Sequence, residues 1–322
     1  MRLCMCIMRS RCWGGVFEPT KPVEPPVEKP EPPVDPPVEE PEEPTTPPST
    51  EDLLTIKIED EIMAVVGTNT WNAIAYGNGK YVAVGDSGYI ATSTDGKNWT
   101  ARIIGTNLWW DVIYGNGKFV AVGLRGSTAI STDGTNWTLS TRTPAYGMRS
   151  VAFGNGKFIA GDVGNIGVST DGTTWTAIAL QDSTHVVNKI AFGNGIFVAV
   201  TSGGKCYTST NGTSWARYST AFGGTNISRI AYGNGKFVAI GYYGNVSTTI
   251  DGTTWTTRSD NIAPNAYYMN QIAYVHDRFV AFGNNGYIAT SIDGLTWTEP
   301  YRVTNESGST VKTDIFAMIK VQ

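Results

Sequence analysis

Between residues 67 and 300 apolar and polar positions alternate along short runs, each bounded by Gly, Asn, Asp, Ser or Thr. Period-two alternation puts successive side chains on opposite faces, so these runs predict β-strands. In the first stretch the pattern predicts four of them, at Asn72–Tyr76, Lys80–Gly85, Tyr89–Thr94 and Trp99–Ile104. We call them a, b, c and d. Asn78-Gly79 joins a to b. Asn-Gly between alternating apolar runs predicts a type I′ hairpin turn, which needs positive φ at both central residues.

The same unit recurs down the chain. Tyr76-Gly-Asn-Gly-Lys80 returns as Tyr114-Gly-Asn-Gly-Lys118, and further copies begin at Phe153, Phe192 and Tyr232. The sixth copy, Tyr274-Val-His276-Asp277-Arg278, is degenerate. A second signature joins c to d: Ser93-Thr-Asp95-Gly96 with Trp99, and its equivalents at Asp133, Asp171, Asn211, Asp251 and Asp293. The six Trp residues of this turn follow at steps of 38, 38, 40, 40 and 42. A period near 40 with four short strands per unit predicts an all-β propeller of six full repeats. Within each blade the a–b and c–d turns then share one end, and the b–c and d–a connections share the other. Residues 56–67 resemble an a–b hairpin without its Asn-Gly, and the segment from Asp314 to Val321 reads as another strand. Pairing the two ends predicts a composite seventh blade that leaves no open edge. Six blades with extra edge strands is the alternative.

The S-x-D-G-x-x-W turn resembles the Asp-box, or BNR repeat, of sialidase-like propellers, one residue shorter before its Trp. The resemblance implies a sialidase-like fold only. The chain also resembles propeller proteins of phages and bacteria whose function is unknown. A sialidase-like site would need an Arg cluster, a Tyr–Glu nucleophile pair and an Asp acid. Glu is absent from residues 62–298, so the repeats cannot supply that pair.

Composition divides the rest of the chain. Residues 1–16 are basic and rich in Met and Cys, and we read them as a docking tail toward a larger assembly such as a capsid or tail. Residues 17–50 alternate Pro with Val and acids. Pro fixes φ and removes a donor, so this stretch reads as a polyproline stalk or linker, with the propeller over 51–322. Leu3 to Met8 is too short an apolar run for an export signal, and no stretch is long enough for a membrane span. The net charge of −4, with scattered Lys and Arg, gives no case for nucleic acid. Cys4, Cys6 and Cys12 lack a fourth ligand, so no metal and no cofactor is expected.

Positions that stay constant across repeats read as scaffold: Asp95, Asp133, Asp171, Asn211, Asp251 and Asp293 should each bond their own turn. Positions that vary are the candidate site. At the b–c and d–a end these are Trp110, Asp111, Arg149, Lys189, Arg229, Asn270, Gln271, Tyr242, Tyr243, Tyr267 and Tyr268. Amide, guanidinium and aromatic groups around a concavity suit a glycan or a protein loop. Trp71 and Trp109 share a repeat position with Met148, Val187, Ile227 and Met269, which reads as core packing. The expectation is a non-enzymatic display module on a virion surface, binding a host-surface glycan or protein. A bacterial cell surface is the alternative location. A glycoside hydrolase using Asp86, Asp111, Asp162 or Asp182 in pairs, and a purely structural decoration, are the alternative functions.

Overall fold

The computed structural model describes residues 4–9, 70–96, 98–141, 147–181, 184–220, 222–258, 262, 269–283, 287–302 and 314–320. The chain divides into two units, Met1–Ser10 with Ile58–Gln322, and Arg11–Lys57; all described residues belong to the first. The stretch read as a stalk, 17–50, therefore lies outside the described residues.

Six four-stranded antiparallel sheets follow one another along the chain, each in the order a-b-c-d. In blade 1 the strands are Trp71–Gly77, Lys80–Gly85, Tyr89–Ser93 and Thr100–Ile103, within two residues of the expected limits. Strands a of blades 2 to 6 are Trp109–Gly115, Ser150–Gly154, Val187–Gly193, Ile227–Gly233 and Met269–Val275. The Asn of each a–b turn takes the positive φ that the Asn-Gly pairs predicted, as at Asn78 and Asn116, both 49°.

Each blade is too thin to bury its own faces, so the core lies between blades. Strand b is buried along almost its whole length, which explains the continuous apolar run KYVAVG. Strand d is short and largely exposed, with hydroxyl and charged residues blunting the outer edge. Aromatic pairs such as Tyr76–Tyr81 and Tyr114–Phe119, with centroids 4.6 and 4.8 Å apart, repeat within the blades. The last residue of strand a is Gly where the next blade's aromatic lies on it. A Cβ at Gly77 would stand 2.0 Å from the Tyr114 ring, and one at Gly115 2.3 Å from Phe153. In blade 6 this residue is Val275, and no full repeat follows it in the sequence.

After blade 6, Asp314–Lys320 forms a strand, as expected, and it lies against strands a of both blade 1 and blade 6. Its partner is Cys4–Arg9, in antiparallel register from Cys4↔Lys320 to Arg9↔Asp314. The pairing partner expected, 56–67, lies outside the described residues. Residues 4–9, within the segment read as a docking tail, form a strand; CMCIMR carries no Pro or Gly and can extend.

Candidate functional site

The c–d turns show what the repeated Asp does. Ser93 Oγ donates to Asp95 Oδ1 at 2.8 Å, and the Asn98 amide donates to the same oxygen at 2.8 Å. The Gly96 amide donates to Ser93 Oγ, and Trp99 Nε1 closes the turn on the Gly96 carbonyl at 2.9 Å. Asn211 does the same work with an amide oxygen, accepting from the Thr213 and Ser214 amides at 2.9 Å each. The Asn136 amide holds Asp133 well below the usual range, and the Thr254 amide does so for Asp251. The Thr174 amide brings Asp171 down to about 2. These are turn-forming groups, as the repetition implied. Among the described residues no cluster of three or more His, Cys, Asp or Glu could hold a metal.

The other end is built on a bulge. In five blades the register of strand a slips near its start, between Trp71 and Ala73, Trp109 and Asp111, Val187 and Lys189, Ile227 and Arg229, Met269 and Gln271. In blades 1 and 4 the bulged residue turns to the neighbouring blade. Asn72 Nδ2 donates to the Trp109 carbonyl and Asn188 Nδ2 to the Ile227 carbonyl, both at 2.8 Å. These two amides staple blade to blade.

The residue after the bulge points to the central channel. Asp111 of blade 2 pairs with Lys189 of blade 4 at 2.6 Å, and blades 2 and 4 can meet only across the channel. Asp111 is buried, and its oxygens also accept from the Val112 amide at 3.1 Å and the Val151 amide at 2.9 Å. Ser150 plays a matching part, its Oγ accepting from the Ile190 amide at 3.0 Å. Asp111 and Lys189, both expected to touch a ligand, are thus bound to each other.

Arg229 lies in the same ring of residues. Its Nε donates to Gln271 Oε1 at 3.0 Å and its Nη1 to the Ser228 carbonyl at 2.8 Å. Burial lowers its pKa; the nearby Asp111 opposes that shift and Arg149 adds to it. Arg149 is exposed and stacks over Trp110, its guanidinium carbon 5.3 Å from the ring centroid. Tyr242 is 47% exposed and its phenol lies close enough to influence Arg229. Among the described residues neither Arg149 nor Arg229 is in an ion pair. The structure therefore brings together Trp110, Arg149, Arg229, Gln271 and Tyr242. Tyr267 and Tyr268, and the side chains of Tyr243 and Asn270, lie outside what is described.

The remaining expectations can be placed as well. Trp71, Trp109, Met148, Val187, Ile227 and Met269 are all buried, so that repeat position is core. Asp86 accepts from Asn72 at 2.8 Å, and the fully buried Asp162 accepts from the Val163 amide at 2.7 Å. Asp182 lies outside the described residues. His276 occupies the a–b turn of blade 6, at the opposite end from His185 in a d–a connection.

No protein-family model and no curated protein matches the chain. Solved structures do resemble it. A streptogramin B lyase is 13% identical, with TM-score 0.66 over 80% of this chain and 95% of the lyase. YCF48 bound to D1 peptide is 21% identical, with TM-score 0.58 over 72% of this chain and 81% of YCF48. The WD40 β-propeller domain of Doa1 is 12% identical, with TM-score 0.57 over 79% and 92%. At these identities the likeness is one of fold, and the chain is an all-β propeller of six four-stranded blades.

Proposed function

We propose that the chain is a non-enzymatic recognition module that binds an acidic surface ligand, a carboxylate-bearing glycan or an acidic protein loop, at the channel mouth. One observation carries this reading. Among the described residues Arg149 and Arg229 form no ion pair, and they are flanked by the Trp110 ring and Tyr242. Guanidinium groups match carboxylates, and aromatic planes stack on sugar faces or peptide side chains. The described carboxylates that a hydrolase would need are engaged by backbone amides or by Asn72, which disfavours an Asp-pair mechanism. YCF48 was solved with a peptide, so propellers of this shape include peptide binders. The Pro-rich stretch at 17–50 fits display away from an anchoring assembly, and a virion surface is the setting we propose.

The test is an array of neutral and acidic glycans together with acidic and neutral peptides, read with full-length protein. Arg149→Ala, Trp110→Ala and Arg229→Gln should each weaken a specific hit about tenfold or more. Binding untouched by all three folded variants would place the site elsewhere and overturn this reading.

A further inference from the structure

A second site lies at the opposite end, where one blade junction breaks the pattern of the others. The Lys of each G-N-G-K turn crosses to the next blade and donates to the carbonyl of its c–d turn. Lys80 Nζ reaches the Asp133 carbonyl at 2.9 Å and Lys118 Nζ the Asp171 carbonyl at 3.2 Å. Lys157 Nζ reaches Asn211 at 2.7 Å and Lys236 Nζ reaches Asp293 at 3.1 Å. The stems lie along the turn glycine: a Cβ at Gly134 would be 3.7 Å from Lys80 Cδ, and one at Gly212 3.6 Å from Lys157 Cδ. Between blades 4 and 5 this Lys is Ile196. Among the described residues no ammonium reaches the Asp251 carbonyl.

In its place is an open groove of about 420 Å³ lined by Ile196, Ser214, Trp215, Asp251 and Thr253. The same junction differs a second time. In blades 1, 2, 3, 4 and 6 the turn Trp donates to its Gly carbonyl, whereas the Gly252 carbonyl meets the Cys206 thiol at 3.5 Å. The groove has an apolar wall at Ile196, an aromatic flank at Trp215, and the ionised Asp251, whose carbonyl no ammonium of the described residues reaches. A primary ammonium on a straight aliphatic stem is the group that four sister junctions hold there.

We propose that this groove takes a lysine side chain of a partner protein, which completes the junction from outside as Lys80, Lys118, Lys157 and Lys236 complete theirs from within. The stem would lie on Ile196 and Trp215, with the ammonium at the Asp251 carbonyl and carboxylate. This site is independent of the channel mouth, so it stands or falls separately from the recognition function proposed above.

The probe is Nα-acetyl-lysine methylamide, titrated at millimolar concentration into the isotope-labelled full chain and followed by NMR. The norleucine analogue, which keeps the stem and lacks the charge, is the control. The lysine probe should shift the amides of Gly252 and Thr253 and the indole of Trp215, and the norleucine analogue should not. Ile196→Lys copies the sister junctions, so it should abolish the shifts and raise the Tm. Ser214→Arg, at the exposed edge of the groove, should also block them and decides the matter if the first variant folds poorly. No shift with the lysine probe, equal shifts with norleucine, or shifts that persist in both variants would overturn the proposal.

Discussion

Asp111 is the residue whose removal tests most of the channel architecture at once. Its carboxylate satisfies two buried amides, Val112 and Val151, and the Lys189 ammonium. Asp111→Ala orphans both amides next to a cation. Each unsatisfied buried donor costs about 1–3 kcal/mol, and water entering beside the part-exposed Lys189 recovers some of it, leaving about 3 kcal/mol. Lys189→Ala removes the same ion pair but leaves both amides bonded. The Lys side chain is 30% exposed, so screening trims its loss to about 1 kcal/mol. For a domain of this size those losses correspond to Tm decreases of about 6–12 °C and about 2–4 °C. Urea unfolding followed by Trp fluorescence reads both, with the m-value checked for constancy. In the double variant, removing Lys189 after Asp111 should cost almost nothing further. Equal losses for the two single variants, or strict additivity in the double, would refute the reasoning that the amides, rather than the ion pair, carry the energy.

The other expected outcomes concern the repeat scaffold. Amide bonds hold Asp133, Asp171 and Asp251 below their unfolded pKa, so their contribution to stability is present above about pH 4. It is lost as the pH falls toward 2 and below; Tm against pH should be flat near neutrality and drop there, and Asp171→Asn should soften the drop. Gly115→Ala pushes a methyl into the Phe153 ring and should cost about 3 kcal/mol in denaturant unfolding, since both blades are close-packed there. Lys118→Met keeps the stem and loses the tie to the Asp171 carbonyl, a change of about 1 kcal/mol by the same measurement. Burial pushes the Cys206 thiol up to about 11, so it should resist iodoacetamide in the native protein at pH 8 and react on unfolding, as read by mass spectrometry.

The fold was legible because a propeller writes its blade six times. The Asn-Gly turns needed positive φ, the c–d turns needed an oxygen acceptor at Asp95 and its equivalents, and repetition separated such scaffold from the rest. The candidate site was half legible. Of the variable positions, Asp111, Lys189 and Arg229 follow the strand-a bulge and lie near one another, and Arg149 sits over Trp110. That Asp111 and Lys189 bind each other was not legible, because they are 78 residues apart in blades 2 and 4. Nor was the stapling by Asn72 and Asn188, which depends on a one-residue register slip that no alternation pattern records.

The amino-acid sequence by itself determined the local chemistry: turn types, strand faces, the four-strand unit and its six-fold count. These depend on residues close together in the chain, where φ preference and side-chain period act directly. Tertiary structure alone decided which charges meet, which candidate polar groups are consumed as scaffold, and what becomes of an exception such as Ile196. Each of those depends on blade-to-blade packing, and a repeat gives every blade the same instructions while closure of the ring gives each a different set of neighbours. The N-terminal strand shows it most plainly. Nothing in CMCIMR names its partner, and the pairing with Asp314–Lys320 exists because the two chain ends meet between the first and last blades.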